Sequence, residues 1–362
     1  MTINTFLSEP IKKLSKHYHV YIVVNGGPKD ISMCLENISI LSAPIERKIS
    51  PFLDLLALFK LIKIFRKYGF KLVHSVTPKA GLLAMLASFL SGVAIRIHTF
   101  GGQVWATQKG LSRWVLKRID RLIFLLATDV LVDSASQRQL LLDEGLITAR
   151  DSSVLAKGSI SGVATARFKP DEIARLKIRT ELAIEDGDTL FLFVGRLNRD
   201  KGVLDLATAF SRITDSKAHL LVVGPDEAGI QLRMEQILDN LLERVHFAGF
   251  SSHPEKYMAA ADVLCLPSYR EGFGCVIIEA AAVGIPAIGS RIYGIEDAIM
   301  DRVTGLLFEA KDNDALRAHM MTMIADNEFR KRLGENARKR VLDQFSSENL
   351  ASAWLDYYQA KL

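Results

Sequence analysis

Short β-branched or apolar runs alternate with helix-periodic segments along almost the whole chain, and this alternation restricts the fold more than any other feature. In the first half the strand candidates are His19–Val24, Lys71–His74, Val93–His98 and Asp129–Asp133. Helical periodicity lies between them at Phe52–Lys67, Lys79–Leu90, Leu111–Leu126 and Ala135–Glu144. In the second half the strands read as Leu190–Val194, His219–Val223, Arg244–Phe247, Val263–Leu266, Pro286–Ile288 and Gly305–Phe308. Such alternation predicts parallel sheets covered on both faces, an α/β chain of doubly wound domains. With 362 residues, two domains are the expectation. The boundary is placed near residues 165–187, where Phe168-Lys169-Pro170 precedes a charged helix. That gives domains at 1–165 and 166–346 and a final helix at 347–362, whose Leu350, Trp354 and Tyr358 form one apolar stripe expected to pack back towards the first domain. Thr2–His17 already reads as a helix. A doubly wound domain usually opens with a strand that becomes central in its sheet, and none precedes this helix.

Composition narrows the class. The three cysteines, Cys34, Cys265 and Cys275, are odd in number and show no CxxC spacing, so neither a disulfide framework nor a zinc site is indicated. A reducing cytosol fits. No basic start followed by an apolar run marks a signal peptide, and Gly81–Ile95 is too short to span a bilayer. Residues 1–160 hold 21 Lys and Arg against 11 Asp and Glu, while the remainder holds 25 against 30. A basic first half suits an anionic partner, a membrane or a phosphorylated acceptor. No nucleic-acid-binding motif accompanies the charge, so no nucleic acid is expected.

Two segments carry chemistry. Glu271-Gly272-Phe273-Gly274-Cys275-Val276-Ile277-Ile278-Glu279 follows the buried-strand pattern ending at Pro267. Its glycines let a ligand approach the backbone, and the apolar helix that follows points its positive end at that place. Glu279 is the only charge within residues 273–290, and a carboxylate there is costly without a partner. The bland reading makes Glu271 a turn residue and Glu279 a complement to the helix dipole. Gly195-Arg196-Leu197-Asn198-Arg199-Asp200-Lys201-Gly202 sits at the end of Leu190–Val194, where Arg196 and Lys201 could clamp a diphosphate. A solvated basic loop is the alternative. Asp186-Gly187-Asp188 reads as a turn, and Asp312-Asn313-Asp314 as a helix cap, rather than as metal sites.

Together these segments resemble the retaining family 4 glycosyltransferases, members that build bacterial surface polysaccharides among them. Gly195-Arg196…Lys201-Gly202 matches their "GR…KG" loop and Glu271…Glu279 their E-x7-E motif. Val223-Gly224, Phe247-Ala248-Gly249, Leu266-Pro267-Ser268, Pro286 and Gly305-Leu306-Leu307-Phe308 extend the match over the second half in order. The resemblance implies a GT-B fold, two Rossmann-like domains facing each other across a cleft. It implies that Arg196 and Lys201 act catalytically by neutralising the donor diphosphate, with Gly195 in the same loop. Glu271, Gly272 and the backbone at Phe273-Gly274 would hold the donor sugar, and Glu279 the ribose hydroxyls. No cofactor or metal is implied. The first half matches more loosely. Lys157-Gly158-Ser159-Ile160-Ser161-Gly162-Val163 is similar to the interdomain "GxxNGV" stretch, with Ser161 where Asn is common. His98-Thr99-Phe100-Gly101-Gly102 is similar to an "HTFHG" turn, with Gly101 in the place of its second histidine. His98, Gly101 and Gly102 are therefore candidate acceptor-side residues.

In Leu111–Leu126 the residues Leu111, Val115, Ile119, Leu122 and Leu126 share a face, and Arg113, Lys117 and Arg121 form a basic stripe beside Trp114. Lys12, Lys13 and Lys16 add a second cluster. Either the stripe meets an anionic membrane or the helix simply packs on its own sheet. The resulting expectation is a peripheral enzyme on the cytoplasmic face. It moves a hexose or N-acetylhexosamine from a UDP-sugar to a polyprenyl-diphosphate-linked saccharide, for O-antigen, capsule or exopolysaccharide. Two alternatives are a nucleotide-sugar epimerase of the same fold and an inactive nucleotide-sugar-binding remnant. A nicotinamide dehydrogenase is disfavoured because no GxGxxG follows an initial strand.

Overall fold

The computed structural model describes residues 6–27, 36–46 and 50–362. Cys34 and the first residues of the expected Thr2–His17 helix lie outside these. The chain divides into two compact units, residues 1–162 with 347–362, and residues 163–346.

The first unit opens with α1 (Ser8–Ser15), β1 (Val20–Val24) and β2 (Ile38–Ser42). Next come α2 (Pro51–Tyr68), β3 (Leu72–Ser75), α3 (Pro78–Leu90), β4 (Ile95–Phe100) and α4 (Gly110–Leu126). β5 (Asp129–Val132), α5 (Ala135–Asp143) and the short β6 (Ser152–Ser153) follow. The described strands form two parallel sheets, β1-β2 and β3-β4-β5-β6, with no hydrogen-bonded strand pair joining them. β2 (Ile38–Ser42) was not foreseen; its two serines interrupt the apolar run by which the other strands were recognised. α2 and α3 each begin at a proline in the first turn, where no N–H is needed. Ala57, Leu61 and Phe65 of α2 and Ile123 and Phe124 of α4 enter the core of this unit. A second cluster joins Leu7 and Leu14 near the start to Leu350, Trp354 and Leu355 of the last helix.

In the second unit α6 (Glu172–Glu181) precedes β7 (Thr189–Val194), α7 (Val203–Phe210), β8 (Ala218–Val223) and α8 (Ile230–Leu238). β9 (Val245–Gly249), α9 (Pro254–Ala260), β10 (Val263–Leu266), α10 (Cys275–Val283) and β11 (Ala287–Ser290) come next. α11 (Ile295–Ala298), β12 (Gly305–Phe308), α12 (Asn313–Ala325) and α13 (Asn327–Gln344) complete it. The last helix, α14 (Ser347–Lys361), belongs to the first unit. Central strands of a parallel sheet are covered on both faces and read as unbroken apolar runs. Leu190–Phe193 and Leu220–Val223 obey this and are buried throughout. The strand order is β12-β11-β10-β7-β8-β9, all parallel. Chain direction across the sheet reverses between β7 and β10, and the carboxyl ends of strands at such a reversal are where open α/β sheets receive ligands.

Candidate active site

Both chemistry-bearing segments leave the sheet at that reversal. After β7 the chain runs through Gly195 to Asn198, whose side chain accepts the Lys201 N–H at 3.1 Å and fixes the tight turn Arg199–Lys201. Gly202 follows with φ +65, and a Cβ there would stand 1.9 Å from the Pro267 carbonyl oxygen. The loop after β7 thus lies directly on the loop after β10, an approach only glycine allows. Further polar links join the two loops. Arg270 Nε donates to Asp200 at 2.7 Å, the Tyr269 N–H donates to the Asp200 carbonyl at 2.7 Å, and the Tyr269 hydroxyl donates to Asp205 at 2.7 Å.

On this frame Lys201 Nζ meets Glu271 Oε1 at 2.5 Å, and the Ser268 hydroxyl donates to the same oxygen at 2.8 Å. Gly272, Phe273 and Gly274 continue from Glu271 into α10, with Gly274 at φ +74 as its N-cap. The Phe273 ring turns into the core against Phe345, leaving its backbone at the loop. Glu279 sits one turn into α10 and has no side-chain hydrogen bond among the described residues. Burial pushes its carboxyl up to about 7, with Arg167 opposing and Glu255 reinforcing the shift.

The structure therefore gathers Lys201, Glu271 and Gly272–Gly274 at one place and puts Glu279 on the helix behind them. Arg196 does not join their ion pair. Its guanidinium pairs with Glu227, on the loop after β8, at 3.1 Å. Ser268 was missed as a participant, although it precedes Glu271 by one turn's spacing in the same loop. Asp312 accepts the Ala315 N–H at 2.9 Å and caps α12, while Asp188 accepts the Glu185 N–H at 3.0 Å. Among the described residues no group of three or more His, Cys, Asp or Glu could hold a metal ion.

In the first unit His98 is buried, and its Nδ1 lies 2.8 Å from the Ser75 hydroxyl. Burial holds its pKa near 3, so the ring is neutral. Gly81 of α3 lies against the ring so closely that a Cβ there would come within 2.3 Å. Gly101 and Gly102 lie at the exit of β4 and are half-buried.

Matches to known proteins fit this geometry. Residues 174–340 match the family model for glycosyl transferases group 1, and residues 15–155 match a glycosyl transferase 4-like domain. A capsular polysaccharide biosynthesis glycosyltransferase from Staphylococcus aureus is 31% identical over 92% of this chain and 87% of its own length. The chain belongs to the glycosyl transferases group 1 family. This glycosyltransferase is also similar to the Escherichia coli UDP-Gal:alpha-D-GlcNAc-diphosphoundecaprenol alpha-1,3-galactosyltransferase, at 26% identity over 83% of this chain and 78% of that one. In structure it resembles sucrose-phosphate synthase from Thermosynechococcus elongatus, with a TM-score of 0.81 and 25% identity over 98% of this chain and 91% of that one. Its fold is GT-B.

Two readings of the α4 cations were open. Arg113 and Lys117 pair with Glu144 and lie over the Trp105 ring, and Arg121 donates to the Leu146 carbonyl at 2.9 Å. Of the two readings of this stripe, a membrane face or packing on the protein itself, its three cations follow the second. Leu111, Trp114, Val115, Leu122 and Leu125 face outward instead, Leu111 at 75% exposure.

Proposed function

We propose that this glycosyltransferase moves a hexose or N-acetylhexosamine, with retention, from a UDP-sugar to a lipid-linked saccharide in bacterial O-antigen, capsule or exopolysaccharide assembly. The observation that carries the reading is the meeting of Lys201 and Glu271 at 2.5 Å. They come from the two loops that leave the sheet at the strand-order reversal and lie against each other, beside the start of α10. In this reading Lys201 and Arg196 neutralise the donor diphosphate, each charge-assisted bond contributing roughly 1.5–3 kcal/mol. Glu271 and the Phe273-Gly274 backbone hold the donor sugar, and Glu279 takes the ribose hydroxyls. Charge growing on the departing UDP is stabilised by Lys201, Arg196 and the positive end of α10, so no metal is required. The carboxylates bind donor and are not a hydrolytic acid–base pair. The relatives' names support the substrates: one is called a UDP-galactose enzyme acting on a diphosphoundecaprenol-linked sugar, another a capsular polysaccharide glycosyltransferase.

Peripheral membrane binding on the cytoplasmic face is part of this proposal. Among the described residues no helix is long and apolar enough to cross a membrane. Helix α2 likewise exposes Phe52, Leu55, Leu56 and Phe59, Phe52 at 72% exposure. Exposed Lys60, Lys63, Lys109 and Arg118 lie close to these apolar residues in sequence. Aromatic and leucine side chains bordered by cations suit an anionic bilayer, each well-placed cation adding about 1 kcal/mol.

The test is UDP release by the purified protein from a panel of UDP-sugars, with and without GlcNAc α-diphosphate on a short alkyl chain. Acceptor-dependent release that Glu271→Ala and Arg196→Ala abolish is the expected result. UDP binding without release from any donor would overturn the transferase reading.

A further inference from the structure

Among the described residues of the first unit, two carboxylates have a fully buried oxygen without a hydrogen bond, Asp54 and Asp133. Asp54 meets Lys79 at 2.5 Å. Asp133 Oδ1 has neither a hydrogen bond nor a cation, although the residue is only 8% exposed. A buried carboxylate without a partner costs several kcal/mol, and an apolar residue would be cheaper if the position served packing alone.

The backbone around this side chain is held firmly. The Asp133 N–H donates to Gln137 Oε1 at 3.2 Å, and its carbonyl accepts the Ser159 N–H at 2.7 Å. Gln137 Nε2 in turn donates to the carbonyls of Phe100 and Gly101 and to Gln103 Oε1, tying the exits of β4 and β5 together. The other carboxylate oxygen faces Gly101, where an added Cβ would lie 3.5 Å from Oδ2. A methyl there would sit in ordinary contact with the carboxylate, so glycine leaves that side of it uncovered, and Gly102 follows. Asp133 thus stands at the carboxyl ends of adjacent parallel strands, the edge at which open α/β sheets receive ligands. The donor reading occupies the corresponding edge of the second unit.

We propose that Asp133 is an acceptor-recognition residue: its carboxylate accepts a hydrogen bond from one hydroxyl of the acceptor sugar, which approaches over Gly101 and Gly102. The assignment rests on the transferase reading and adds to it the group that selects the acceptor. A carboxylate acceptor discriminates strongly because the analogue lacking the hydroxyl leaves a buried polar group unpaired.

The experiment measures acceptor and donor KM with GlcNAc α-diphosphate on a short alkyl chain, for wild type, Asp133→Asn and Gly101→Ala. UDP affinity and thermal midpoint are measured alongside. Both variants should raise the acceptor KM about tenfold or more and leave UDP affinity within twofold. Gly101→Ala keeps the carboxylate and adds only a methyl beside it, so it reads the approach separately from the charge. Among monodeoxy acceptors, one should be poor with wild type and lose nothing further with Asp133→Asn. Wild-type acceptor KM in both variants would overturn the assignment, as would an equal loss of UDP affinity. Wild type that releases no UDP in response to acceptor would remove the transferase reading itself, a failure visible before any variant is made.

Discussion

Asp133 and Glu279 are the two carboxylates that burial pushes up to about 7. For Asp133 the direction fixes how stability varies with pH. Its pKa when unfolded is the ordinary one, roughly 3.9. Between there and 7 the unfolded chain is ionised while the folded carboxyl holds its proton, so unfolding releases a proton and stability falls as pH rises. The penalty is absent below pH 4 and complete above pH 7. Asp133→Asn should therefore be no more stable than wild type at pH 4 and more stable at pH 8, by on the order of a few kcal/mol. Denaturant unfolding at the two pH values checks this, and a pH-independent offset would count against it. Lys201 and Glu271 differ in kind, since each answers the other's charge. Lys201→Ala and Glu271→Gln should each lower kcat/KM about a hundredfold, by analogy with the loss of one preorganised electrostatic contact. Because the two side chains touch, the double variant should lose much less than the product of the single effects. Steady-state kinetics on all three variants decides it.

At the scale of elements, the site depends on loops laid against each other rather than on any one helix or strand. Gly202→Ala meets both an unfavourable φ and the Pro267 carbonyl at 1.9 Å, whereas Gly229, at φ +64, has nothing within 4 Å of a built Cβ. Gly229→Ala should cost about 1 kcal/mol, the price of the backbone conformation alone. Gly202→Ala should cost clearly more and also weaken UDP binding; calorimetry of both variants measures the difference. On α2 and α4, Phe52→Ser with Trp114→Ser should abolish co-sedimentation with anionic vesicles while leaving the thermal midpoint within a few degrees. Binding unchanged by this pair would remove the membrane proposal. The strands and helices of the second unit were legible because its central runs are apolar and its turns carry glycine. The pairing of the two glycine-containing loops after β7 and β10 was legible because their glycines and charges recur in a fixed order. The outward face of α4 was not. Leu111 and Val115 share a helical face with Ile119, so periodicity finds a stripe without telling which stripe points inward. The long stems of Arg113 and Lys117 pack on Trp105, which a pattern of apolar letters does not register. Asp133 went unseen for a related reason: one acidic letter after a strand carries no mark of whether a partner will reach it.

Across the whole molecule, the two units bury their chains in different ways. The second has one six-stranded sheet with a continuous core. In the first, among the described residues, the β1-β2 ladder and the β3-β4-β5-β6 sheet share no strand pair, and beyond its ladder with β2 the strand β1 packs through side chains. Val20 packs with the α1 and α14 cluster, Val23 with the main core of the unit, and Tyr21 against Phe70 at 5.1 Å between ring centres. Side-chain packing alone yields to smaller fluctuations than a shared ladder does, and regions that open separately exchange their amides separately. Val20–Val24 and Ile38–Ser42 should therefore exchange with deuterium as one block, ahead of Leu72–Ser75, Ile95–Phe100 and the strands of the second unit. A protease added under native conditions should make its first cuts next to the same block, so that the seam between two sheets becomes the place where the chain first comes apart.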